Sequence, residues 1–165
     1  MTSTRVLAVV MAACAVGGCV ASGPITARIT RPDSGAPVVM HYRSQRFSND
    51  GTLTATMPDG EAFSGGYLQV TSDTSGEALD PYWGGWGTGW DGWEPWTDDY
   101  GPWIAGADVP TFIRNYSGKV IAVLTGDRGG RMRCRFRLAE PDEGMSGGGL
   151  GECETKGAQR IDATF

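Results

Sequence analysis

Residues 131–138 read Arg-Met-Arg-Cys-Arg-Phe-Arg-Leu, an unbroken two-residue alternation. Successive side chains of a β-strand project to opposite faces. The pattern therefore predicts a strand with Met132, Cys134, Phe136 and Leu138 on a core face and Arg131, Arg133, Arg135 and Arg137 on the other. The apolar face needs a layer to cover it, and the arginine face needs water or a partner. Residues 150–154 supply a match, because Cys153 lies between Glu152 and Glu154. If Cys134 stands opposite Cys153 in an antiparallel pair, Arg133 meets Glu154 and Arg135 meets Glu152, so that core and charge agree in one register. Directly opposed cysteines on neighbouring strands fit disulfide geometry poorly. A register offset by one residue, or a bridge between non-adjacent strands, therefore stays open.

Other stretches carry the same period. Residues 38–42 form a short apolar run ending in His41 and Tyr42. Residues 52–57 alternate Leu53, Ala55 and Met57 against Thr52, Thr54 and Thr56. Pro58-Asp59-Gly60 then provides a turn into residues 61–71, where Gly-Glu-Ala-Phe-Ser-Gly-Gly-Tyr is similar to short hairpin units of the type Gly-x-x-Phe-x-Gly-x-Tyr. The tail echoes it, with a turn at Gly157 and Ile161, Ala163 and Phe165 alternating inward. Two glycine-punctuated hairpin units fall short of a repeat array. The expected fold is mainly β, a small antiparallel sandwich or open barrel built from hairpins, with little helix, spanning residues 38–165. Its length suffices for a hydrophobic core.

The start of the chain has a different character. A short positive leader precedes a nearly unbroken apolar run over residues 6–16, too short to span a bilayer. Val16-Gly17-Gly18-Cys19 follows. This leader resembles the lipobox signal of bacterial lipoproteins. The resemblance covers about the first twenty residues. It implies removal of residues 1–18, acylation of Cys19 and attachment to a membrane through that lipid anchor. Val20, Ala21 and Ser22 include no aspartate, which by the same analogy implies the outer membrane, facing the periplasm. Ordinary secretion with cleavage nearby is the alternative. The C-terminal pattern Gly-x-x-Met-x-Cys-x-Phe, Gly-x-Gly-x-Cys and Ile-x-Ala-x-Phe resembles that of uncharacterised bacterial envelope lipoproteins, a resemblance that supplies no activity. Residues 19–37, rich in glycine and proline, suit a tether between anchor and folded body.

Cysteine usage fits that compartment. Of four cysteines, Cys14 leaves with the signal and Cys19 is the lipid site, so Cys134 and Cys153 remain as a pair. With one histidine in the chain, a disulfide explains the pair better than a metal site does. A loop of this size contributes roughly 3 kcal/mol by the chain-entropy estimate.

The formal net charge is −5, and its distribution says more than its sum. No lysine or arginine occurs between Arg46 and Arg114, whereas bases predominate on either side. Nucleic acid, which demands a net basic face, is excluded as a partner. The acidic interval could offer oxygen ligands to calcium or magnesium, but its spacing matches no cation-binding loop, and no metal or other cofactor is expected. All the tryptophans, Trp83, Trp86, Trp90, Trp93, Trp96 and Trp103, lie in this interval among glycines and prolines that oppose a helix. They are read as an irregular, flexible loop over about residues 80–109. Exposed indoles there are candidate contacts for an envelope protein, peptidoglycan or lipid; alternatively, several of them cap the β core.

Catalytic motifs are scarce. Gly144-Met145-Ser146-Gly147-Gly148 fits Gly-x-Ser-x-Gly, yet that motif acts as a strand-to-helix elbow with a histidine downstream, and none follows Ser146. His41, beside Tyr42 and Arg43, reads as a structural or surface residue. The arginine row could hold phosphates or an anionic partner, but neutralisation by Glu152 and Glu154 is the stronger reading. The sequence points to a non-enzymatic cell-envelope lipoprotein acting as a binding or structural module, with an enzyme acting on cell-wall or lipid substrates as the second class.

Overall fold

The computed structural model describes residues 20–32, 34–45, 48–83, 113 and 117–165. The strands are β1 (Val20–Arg31), β2 (Pro37–Gln45), β3 (Asp50–Thr56), β4 (Ala62–Gln69), β5 (Lys119–Gly126), β6 (Arg131–Leu138), β7 (Gly149–Thr155) and β8 (Arg160–Thr164), with helix α1 (Gly76–Trp83) between β4 and β5. A 3-10 segment, Pro141–Gly147, joins β6 to β7. Each strand pairs antiparallel with the next, and β8 returns to β1 through Thr26↔Thr164, Ala27↔Ala163 and Ile29↔Ile161. The result is a closed up-and-down barrel.

The expected mainly β, antiparallel, hairpin-built fold is present as a barrel with little helix. A strand from the expected tether closes it, which corrects one expectation. Within β1, Ile25, Ala27 and Ile29 are buried while Thr26, Arg28 and Thr30 are exposed, the same period as the other strands. The described folded body therefore includes β1 from Val20, ahead of the expected start at residue 38. Pro24, which helped suggest a tether, falls in the part of β1 that pairs with β2 alone, a location that strands allow to proline.

The interior is apolar, built from residues such as Ile25, Met40, Leu53, Phe63, Leu124, Met132, Phe136 and Ile161. The outward positions Thr26, Arg28, His41, Arg43, Thr52 and Thr54 are exposed. A barrel that crosses a bilayer carries the inverse pattern.

Glycine–aromatic pairs recur inside the wall. Tyr42 stands opposite Gly23, Tyr67 opposite Gly51, Phe63 opposite Gly126 and Phe136 opposite Gly151. A Cβ at Gly23 would come within 2.8 Å of the Tyr42 ring, and one at Gly51 within 2.6 Å of the Tyr67 ring. Each ring thus occupies the space its glycine partner leaves, which lets a narrow eight-stranded barrel hold large side chains.

Cys134 and Cys153 are directly opposed and joined by a disulfide, with Arg133 opposite Glu154 and Arg135 opposite Glu152. The direct register prevails over the offset alternatives. The arginine face differs from expectation in one respect: Arg133 and Arg135 are only 3% and 5% exposed, although they point away from the barrel interior. The outer face of β4 and β5 is also covered. Leu79 and Tyr82 of α1 pack there with Leu68, Val70 and Ile121. The expected loop at residue 80 therefore begins in a helix, in which Tyr82 is buried.

Candidate functional site

The two ends of the barrel are unlike. At one end β1 runs past β8, so residues 20–25 are joined in the sheet to β2 but not to β8. The 3-10 segment lies against β1 and β6 at this end, where Pro141 supplies a helix-compatible start and the positive φ of Gly144 turns the chain. Met145 is buried among the core side chains. The Gln69 amide donates to the Pro141 carbonyl at 2.8 Å, linking β4 to the 3-10 segment.

Between these elements is a cleft of about 720 Å³ lined by Val20, Ala21, Ser44, Ser48, Asn49, Tyr67, Gln69, Thr71 and residues 141–146. Tyr67, placed inward by the β4 alternation, is only 2% exposed. Burial raises its pKa above the ordinary 10.0, opposed by a hydrogen bond with Ser44 and reinforced by the charge of Asp50. Its phenol thus stays neutral through the physiological range. The backbone N–H of Gln69 donates to the Asn49 carbonyl at 2.6 Å, and the Ser48 hydroxyl bonds the Asp50 carboxylate. Asp142 and Glu143 are exposed on the 3-10 segment. An aromatic wall, amides, hydroxyls and carboxylates in one cleft can orient a small polar ligand or a polar head group.

At the opposite end a smaller cavity of about 170 Å³ is lined by residues including Met57, Glu61, Phe63, Arg131 and Lys156. The Glu61 carboxylate accepts from the Gly130 N–H at 3.0 Å, so it is engaged in holding the β5–β6 turn.

Among the described residues, Ser146 and His41 do not form a serine hydrolase pair. Ser146 is exposed and donates its hydroxyl to the Glu143 carbonyl at 2.6 Å, while His41 points outward from β2. No group of three or more His, Cys, Asp and Glu residues gathers as metal ligands among the described residues.

The remaining sequence candidates divide clearly. Cys134 and Cys153 meet inside the barrel. Cys19, Trp86, Trp90, Trp93, Trp96 and Trp103 lie outside the described residues, and Trp83 is described only as the last residue of α1. Tyr82 covers Gly66 from outside the barrel, and burial, assisted by the charge of Asp50, pushes its phenol up to about 12. The cleft residues Asn49, Tyr67 and Gln69 were not singled out by sequence. The hairpin pattern containing Tyr67 was their one signal.

Arg133 and Glu154 form the other unusual group, with Arg133 Nη2 3.1 Å from Glu154 Oε2. Arg135 pairs likewise with Glu152. Burial lowers the Arg133 pKa to about 9 against the support of Glu154, and burial also raises that of Glu154. This ladder lies within the wall, with the Arg133 and Glu154 side chains 4% and 5% exposed.

No protein-family model matches the chain, and no curated protein matches it. Among solved structures, a de novo designed fluorescence-activating β-barrel is similar, with a TM-score of 0.42 and 8% identity over 87% of this chain and 88% of that one.

Proposed function

We propose that this protein is a non-enzymatic cell-envelope lipoprotein, acylated at Cys19, that serves as a binding module through the cleft at the mouth of its barrel. The observation that carries the reading is the cleft itself, held open between β1 and the Gln69-tethered 3-10 segment. Eight-stranded barrels fill their interior with side chains or hold one small ligand near the mouth. Here core side chains such as Leu124, Met132 and Ile161 fill the depth, and Tyr67, set against Gly51, stands at the mouth as a wall of the cleft. The Val16-Gly17-Gly18-Cys19 leader, with no aspartate after the cysteine, supports outer-membrane attachment facing the periplasm. Peptidoglycan, lipid or an envelope protein are the partner classes, with the tryptophan-rich segment as a second contact.

The test titrates the protein with soluble peptidoglycan fragments and with phosphatidylethanolamine–phosphatidylglycerol vesicles, comparing it with an Asn49→Trp variant that blocks the cleft. Binding by the parent that the variant loses supports the cleft. Equal binding by both moves recognition to another surface, and binding to neither ligand removes peptidoglycan and lipid and leaves an envelope protein as the partner class.

A further inference from the structure

Val20 and Ala21 are at once the first two residues of β1 and part of the cleft wall. Both are held in the sheet, Val20 opposite Gln45 and Ala21 opposite Ser44. Val20 is also covalently next to Cys19, and consecutive Cα atoms are only about 3.8 Å apart. The inference rests on the acylation of Cys19 proposed above. Given that anchor, no spacer separates the lipid from the barrel wall, because the residues that read as a tether are themselves strand.

We propose that the barrel stands mouth-down on the membrane, so that the cleft between β1 and the 3-10 segment opens onto the lipid surface. The turns at the other end, around Asp59, Asp127 and Lys156, are then the part most distant from the bilayer. An eight-residue strand such as β5 rises about 3.3 Å per residue and tilts by about 40° in a barrel, which sets the two ends about 20 Å apart. Val20, 45% exposed at the mouth, contributes an apolar contact at the level of the head groups. Molecules presented by the membrane meet the cleft directly, whereas those in bulk solution must pass between the rim and the lipid.

The orientation is read with a fluorophore on a single added thiol, placed either at the rim by Ser146→Cys or at the far turn by Asp127→Cys. Both positions are exposed, and the native disulfide is left intact. Each labelled, full-length processed protein is reconstituted in phosphatidylethanolamine–phosphatidylglycerol vesicles containing a lipid with a head-group quencher. The expected result is severalfold stronger quenching at position 146 than at position 127. Equal quenching, or stronger quenching at 127, overturns the orientation. The intact mass of the same preparations keeps the two readings apart: a protein without acyl chains refutes the anchor, whereas an acylated protein with equal quenching refutes only the orientation.

Discussion

Replacing Glu154 with alanine tests whether the outward face of β6 and β7 is a buried charged ladder rather than a solvated surface. The Arg133 and Glu154 side chains are 4% and 5% exposed and 3.1 Å apart. Two unit charges about 4 Å apart attract by about 4 kcal/mol at an effective dielectric constant of about 20. Removing Glu154 takes from the buried Arg133 its hydrogen-bonded counter-charge, and breaking a buried pair in this way costs about 3–5 kcal/mol. Domains are stable by about 5–15 kcal/mol, so this one substitution removes a large share of the total. In equilibrium urea denaturation followed by far-ultraviolet circular dichroism, the midpoint should fall by about 1.5–2.5 M for a slope of about 2 kcal/mol/M. Replacing both partners with apolar residues, Arg133→Met with Glu154→Leu, removes the charge together with its desolvation cost and should restore most of the loss. A Glu154→Ala protein within about 0.5 kcal/mol of the parent, the range of ordinary surface substitutions, would refute the reasoning.

Other consequences follow from the same packing. Burial raises the Glu154 carboxyl above its ordinary 4.5, so the folded state binds this proton more tightly than the unfolded chain. Its contribution is fully present below pH 4.5 and is lost as pH rises through the raised value. The parent should therefore gain stability relative to Glu154→Gln as pH is lowered from 7 towards 4.5; a constant difference would contradict this. Tyr82, raised to about 12, has a contribution present below pH 10 and lost as pH rises through about 12. Phenolate absorbance should show it titrating late, and Tyr82→Phe should remove that alkaline loss. Replacing Cys134 and Cys153, 19 residues apart, with alanine should lower stability by about 3 kcal/mol in urea denaturation, and no change would exclude the constraint. Gly23→Ala should cost about 1–3 kcal/mol through overpacking against Tyr42. Combined with Tyr42→Leu, the loss should be less than the sum of the two single losses, and strict additivity would show that the pair does not share one space.

The hairpins were legible where one face met the core and the other met water. Residues 52–57 and 131–138 announced β3 and β6 through strict alternation, and the Cys134–Cys153 register followed from matching cysteines and charges. β5 gave no such signal, because Val120, Ile121, Ala122 and Leu124 are all buried, the inner face by the barrel and the outer by α1. A strand covered on both sides loses its alternation. β1 was obscured for another reason: its glycines and proline suggested a linker, whereas Gly23 makes room for Tyr42 and Pro24 sits where β1 has no β8 partner. The cleft was least legible. It depends on Gln69 reaching Pro141 from 72 residues away, a meeting that local pattern cannot express.

The intact mass of the protein extracted from its own membranes, taken with and without reductant, tests the central claim most directly. The account predicts a chain beginning at Cys19, carrying acyl chains and gaining two hydrogens on reduction as the Cys134–Cys153 bond opens. A chain that begins elsewhere and carries no lipid would contradict the anchored module.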